Sequence, residues 1–176
     1  LFCEGKIEFG DRIYHCWKEK GHREVNLLKG IKESCDVFFY QLALKVGVDD
    51  IAKMAENLGL GQTTNLELPS EKKGIIPNKK WKKEALNQNW YAGETLMTGI
   101  GQGYVLTTPL QLITMTSIIA NGGNRVQPTI TIINNEKELL KESVGINTKN
   151  LRIIKDAMSK AVNEPQGTAY RSRSSP

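Results

Sequence analysis

Cys3, Cys16, His22 and Cys35 stand close to the amino end, and they include every cysteine of the chain. Thiolate sulfur and imidazole nitrogen in this mixture suit a tetrahedral zinc ion, so the four read as a structural Cys₃His set. Their spacing is long and irregular and matches no compact zinc-knuckle pattern. A Cys3–Cys16 disulfide with Cys35 left free fits the same composition in an oxidising compartment. Spacing alone leaves both readings open. His15, beside Cys16, is an alternative ligand, but neighbours in an extended segment point to opposite faces, so only one of the pair can serve.

The elements that must position these residues follow from pattern. Residues 1–25 are rich in glycine, charge and aromatics without helical period, which predicts loop with short extended pieces. Asn26 can cap a helix carrying Leu27, Leu28 and Ile31 into Ser34. The apolar run Val37 to Val46 predicts a buried helix ended by Gly47. Asp49 or Asp50 then opens an amphipathic helix with Ile51, Met54, Ala55 and Leu58 inward, closed at Gly59 or Gly61.

From Gln62 to Gly103 the periodicity fails between Pro69, Pro77 and several glycines, so a long connection with short helical pieces is expected. Connections of that length usually wrap a functional site. Thr107 or Thr108 caps the next helix, with Pro109 in its first position, Leu110, Ile113, Ser117 and Ile118 along one face, and Gly122 at its end. Val126 to Ile133 alternates like an edge strand around Pro128, and Asn134–Asn135 make a turn. A last helix is predicted from about Asn150 to Val162 with Leu151, Ile154, Met158 and Ala161 inward. Residues 171–176 are a polar, frayed tail.

Composition narrows the class. The 176 residues, 39% hydrophobic, suit one ordinary globular domain. No apolar run is long enough to span a bilayer and no leader pattern opens the chain, so it reads as a soluble piece. The net charge of +5 could attract an acidic partner. Its lysines are scattered, as in 71–73 and 79–83, and this reads as solvated surface rather than a nucleic-acid face.

A resemblance joins these pieces. The run Glu33-Ser34-Cys35-Asp36-Val37-Phe38-Phe39-Tyr40-Gln41 is followed by Gly99-Ile100-Gly101-Gln102-Gly103-Tyr104 and Thr107-Thr108-Pro109-Leu110-Gln111. With Cys16-Trp17-Lys18 and Gly21-His22, this ordered set resembles the transpeptidase domain of the penicillin-binding protein 2 family. Those bacterial D,D-transpeptidases cross-link peptidoglycan during cell elongation. The likeness runs from near residue 1 to about Tyr170.

The resemblance implies roles. Ser34-Cys35-Asp36 is similar to the family's second motif, S-x-N, in an S-x-D form, so Ser34 would bond the catalytic lysine and help relay a proton to the leaving group. A hydroxyl both donates and accepts, which such a relay needs. Asp36 would face the substrate side of the cleft. On residue type alone, S-x-D reads as a helix cap or a surface turn. Some members carry zinc beside the active site, and Cys16, His22 and Cys35 fall where their ligands would.

The family's acylated serine opens an S-x-x-K helix ahead of S-x-D, and its K-T-G strand lies after it. Neither is found in those positions here. Ser70-Glu71-Lys72-Lys73 matches S-x-x-K literally, but in the wrong order and in a charged loop, and reads as a decoy. Gln166-Gly167-Thr168-Ala169 resembles the segment just ahead of the third motif, whereas Ser174-Ser175-Pro176 does not resemble the family.

The expectation is therefore an internal fragment, 1–176 being a partial transpeptidase domain with a candidate zinc segment in 1–35. It should be mainly α with a minor strand pair near 126–140: the helical part of the α/β transpeptidase-like fold, with apolar surface left exposed. Alone it should be inactive, whereas an intact parent, anchored at the periplasmic face of the inner membrane, would take peptidoglycan stem peptides and β-lactams. An elongation glycosyltransferase is an expected partner. The alternatives are a zinc-stabilised interaction module and, on the basic balance only, a nucleic-acid binder.

Overall fold

The computed structural model describes residues 1–66, 69–130 and 142–173. It opens with four short strands, β1 (Phe2–Cys3), β2 (Lys6–Phe9), β3 (Arg12–His15) and β4 (Arg23–Glu24). β2 and β3 form an antiparallel hairpin, Lys6 opposite His15 and Phe9 opposite Arg12. The outer pair, β1 with β4, closes around it, Cys3 opposite Arg23. One hairpin thus lies inside another. Where the chain crosses itself there is room for hydrogen only: a Cβ on Gly5 would come 2.0 Å from the Glu19 carbonyl oxygen, and one on Gly21 would come 2.2 Å from that of Cys3. Both residues also hold positive φ, 97° and 72°, which glycine adopts without steric cost.

Seven helices follow among the described residues: α1 (Leu27–Lys32), α2 (Asp36–Val46), α3 (Val48–Asn57), α4 (Lys79–Leu86), α5 (Ala92–Gly99), α6 (Pro109–Ala120) and α7 (Thr148–Asn163). Asn26 caps α1 as its composition predicts, its side chain accepting from the Lys29 N–H. α2 buries Val37, Phe38, Tyr40 and Ala43 and ends at Gly47. Full burial of side chains such as Val37 and Phe38 stabilises by about 1.5–3 kcal/mol each. Leu96 of α5 joins Val37, Phe38, Tyr40 and the three cysteines in one core. Gly99 lets α5 lie close on α2, since a Cβ there would meet that of Ala43 at 2.5 Å.

Several expectations need correction. α3 starts at Val48, with Gly47 ending one helix and opening the next, and buries Val48 and Ala52. Met54, expected inward, is 46% exposed. In α6 the cap is Thr108 in a reciprocal box with Gln111, and Pro109 is first, as read. Its buried face is Gln111, Thr114, Ile118 and Ile119, while Ile113 is 63% exposed. Apolar residues surround this helix, so periodicity carries little information. A hydrogen-bonding residue settles its orientation. Gln111 is fully buried, and its amide donates to the carbonyls of Gln62 (2.7 Å) and Lys73 (2.9 Å), tying the long connection to α6.

Residues 126–130 form no strand, and 131–141, which carry the rest of that expected strand and its turn, lie outside the described residues. Nearby there is a lone bridge, Asn124 to Ser143. The described β structure is instead at the amino end. The expected tail closes a single 3₁₀ turn, Tyr170–Ser172, and 174–176 lie outside the described residues. Large apolar side chains are exposed at Leu112 and Ile113 of α6 and at Ile153 and Val162 of α7. No described helix is long and apolar enough to cross a membrane.

Candidate functional site

The nested hairpins gather the expected ligands. Cys3 ends β1, opposite the residue that follows His22. Cys16 follows β3, pinned by its N–H to the Gly5 carbonyl at 2.8 Å, and Cys35 caps α2. The candidate ligand atoms of all four lie within 4.8 Å of one another, and all four residues are buried. His22 turns Nδ1 toward the sulfurs, 3.5 Å from Cys16 Sγ and 3.7 Å from Cys3 Sγ. A tetrahedron with zinc–sulfur bonds of about 2.3 Å and zinc–nitrogen bonds of about 2.0 Å has a sulfur–nitrogen edge of about 3.5 Å. The donor set and its separations therefore fit zinc. No pair is joined as a disulfide; all three cysteines are free. His15, the alternative ligand, lies exposed outside the set.

Burial governs the electrostatics here. It pushes the Cys35 thiol up to about 12, helped by the neighbouring Cys3 and Cys16 sulfurs, and raises Cys16 as well. Burial, with Lys18 nearby, lowers His22 and keeps its imidazole neutral. A bound cation reverses this balance by favouring thiolate. His22 Nε2 is buried with no hydrogen-bond partner among the described residues, and the Trp17 ring packs edge-on against that imidazole at 5.4 Å.

Cys35 is also the middle residue of Ser34-Cys35-Asp36. Its side chain faces the cluster while its neighbours face away. Ser34 holds the left-handed conformation, φ 50°, which turns the chain sharply from α1 into α2. Its exposed hydroxyl lies 2.8 Å from that of Thr168. Asp36 opens α2, where a carboxylate suits the helix N-terminus, and accepts the Trp17 backbone N–H at 2.9 Å. The Trp17 indole N–H reaches the carbonyl oxygens of Glu33 and Ser34, both at 2.9 Å.

A second support comes from the carboxyl end. The Thr168 N–H donates to the Lys32 carbonyl, and the Lys32 ammonium pairs with Glu164 at 3.0 Å and with Glu33 at 3.7 Å. The bond to Glu164 raises the Lys32 pKa against the opposing effect of burial. Thr168 lies in the segment that resembles the family's, but nothing in the sequence signals that it meets Ser34 or that Lys32 pairs with Glu164. Ser70 lies in a turn with φ 66° and no helix follows it directly, so the literal S-x-x-K match lacks the helix that motif requires.

The model of the penicillin binding protein transpeptidase domain matches residues 1–176. The chain belongs to that family. Its likeness is of the penicillin-binding protein 2 type. The peptidoglycan D,D-transpeptidase MrdA of Salmonella typhimurium is 32% identical over 91% of the chain, which covers 27% of that protein. Penicillin-binding protein 2 from Helicobacter pylori superposes with a TM-score of 0.89 at 38% identity, covering 98% of this chain and 32% of that one. The same H. pylori protein in complex with MreC gives 0.88 at 36% identity, with the same coverage. The chain thus spans about a third or less of these relatives. As a transpeptidase-family chain it is mainly helical with a minor β element.

Proposed function

We propose that residues 1–176 are the S-x-D and metal-bearing part of a peptidoglycan D,D-transpeptidase of the elongation type. The observation that carries this reading is the Ser34 hydroxyl held at the α1–α2 turn, exposed and 2.8 Å from Thr168. Ser34 is supported from behind by Trp17 and from the side by the 164–169 segment. In this reading Ser34 passes a proton between a catalytic lysine and the leaving amine, and Asp36 faces the stem peptide. Neither residue is the nucleophile, because acyl transfer also needs an activated serine and a strand that positions the acyl carbonyl. No K-T-G motif is among these residues and the literal S-x-x-K match at Ser70 to Lys73 has no helix directly behind it, so by themselves they form no acyl-enzyme.

Cys3, Cys16, His22 and Cys35 would hold zinc in a closed four-ligand site, where the ion supplies structure rather than a reaction step. The metal segment is 1–35, and it sets the position of the S-x-D turn through Cys35 and Trp17. For a parent carrying the remaining motifs, the resemblance places the work at the periplasmic face of the inner membrane. Its substrates would be stem peptides and β-lactams, with MreC-type and glycosyltransferase partners.

Two experiments test this. In a chain extended to carry both missing motifs, Ser34→Ala should slow acylation by a fluorescent penicillin by roughly 100-fold, in the range of general acid–base catalysis, with little change in Tm. Equal losses of acylation and stability would reduce Ser34 to a capping residue. The 176 residues alone should take no label; label mapped to Ser70 would restore that motif, and label at Ser34 would undo the motif assignment. Metal analysis with intact mass should find one zinc per chain and no disulfide, and His22→Ala should lose the zinc. A metal-free native chain would end the zinc reading.

A further inference from the structure

On the reading above the substrate is a glycan strand bearing peptides, and nothing at the S-x-D turn addresses the sugar. A separate feature does. The tip of the β2–β3 hairpin faces the start of α5 and Tyr104 across an open cavity of about 670 Å³, within the roughly 300–1,000 Å³ of small-ligand sites. It contains none of the metal ligands and neither Ser34 nor Asp36.

Its walls are aromatic, formed by Phe9, Tyr14, Tyr91 and Tyr104, and the Tyr91 side chain is left 66% exposed. Two of these rings are held from beneath by a buried cation. The Lys82 ammonium, paired with the Glu94 carboxylate, lies 4.8 Å from the Tyr91 ring centroid and 5.7 Å from that of Tyr104. That contact orients the rings without help from a ligand. Polar groups complete the lining. The hydroxyls of Tyr14 and Tyr104, the Asp11 carboxylate and the Arg12 guanidinium have no side-chain hydrogen bond or ion pair among the described residues. The Tyr14 hydroxyl reaches the first turn of α5 only because residue 93 is glycine; a Cβ there would lie 2.5 Å from it.

Flat aromatic faces beside unpaired hydroxyl, carboxylate and guanidinium groups match one ligand class. A pyranose ring offers an apolar C–H face for stacking and a rim of hydroxyls that donate and accept. A purely apolar ligand would leave four polar groups unanswered, and a cation would meet Arg12 at the rim. We propose that this cavity is a glycan subsite, binding a pyranose of an N-acetylated polysaccharide on Tyr91 with Asp11 and Arg12 on its hydroxyls.

The test is titration calorimetry of the zinc-loaded chain with chitotetraose, a peptide-free N-acetylglucosamine tetramer, and separately with a free stem pentapeptide. Saturable chitotetraose binding is expected, weakened at least about tenfold by Tyr91→Ala and by Arg12→Ala and retained by Tyr91→Phe. Arg12 stands exposed at the hairpin tip, so its variant decides the matter even if Tyr91→Ala unfolds. No saturable heat with the sugar, or unchanged affinity in Arg12→Ala, overturns the proposal. Binding of the pentapeptide alone overturns it too and marks a peptide site. Loss of penicillin acylation leaves this result untouched, so failure of the subsite and failure of the transpeptidase reading are separable.

Discussion

Trp17 links the Cys/His cluster to the Ser34 turn. Its backbone N–H holds Asp36, its indole N–H holds the Glu33 and Ser34 carbonyls, and its ring covers His22. Trp17→Phe keeps the ring and the backbone bond but removes the indole donor. We expect a loss of about 1 kcal/mol in thermal unfolding with zinc stoichiometry unchanged, and faster hydrogen exchange at Cys35 and Asp36. Unchanged exchange would mean the indole is only a lid. The four-residue cluster was legible because three thiols and an imidazole are a donor set that residue type alone singles out. The Ser34–Thr168 contact was not, because it joins positions 134 residues apart and no local pattern encodes such a pairing.

Among the elements, helix starts and stops were legible at Asn26, Gly47, Thr108 and Pro109, but not at Asn78 and Asn147, whose side chains cap α4 and α7. Faces were misread where hydrogen bonding overrides hydropathy, and α6 is the clearest case because its deepest residue is Gln111. The buried Lys82 of α4 is a similar surprise. Only 1% exposed, it lies among Trp90, Tyr91 and Tyr104 and pairs with Glu94 of α5. Nothing in the run Lys79 to Lys83 sets it apart from its exposed neighbours. Removing one partner of such a pair leaves a poorly solvated charge. Lys82→Met should therefore destabilise by about 3 kcal/mol, at the low end because Glu94 keeps some solvent contact. Lys82→Met with Glu94→Gln should cost less than the single change. A double variant weaker than Lys82→Met would show that the aromatic contacts, not the ion pair, dominate.

At the scale of the molecule, the amino-terminal hairpins and the α1–α2 turn share the cluster, while α6 stands apart from it. Chelation should therefore act regionally. On treatment with a zinc chelator we expect lowered Tm and faster hydrogen exchange across residues 1–35, with α6 largely unchanged. Uniform loss across the chain would show a single cooperative unit. The separation along the chain also has a consequence in time. The four cluster residues come from one short stretch, Cys3 to Cys35, but Thr168 follows Ser34 by 134 positions. At roughly 5–20 residues per second, synthesis needs on the order of ten seconds to cover that interval. The hairpins that carry the cluster can therefore form while the outer wall of the Ser34 turn does not yet exist.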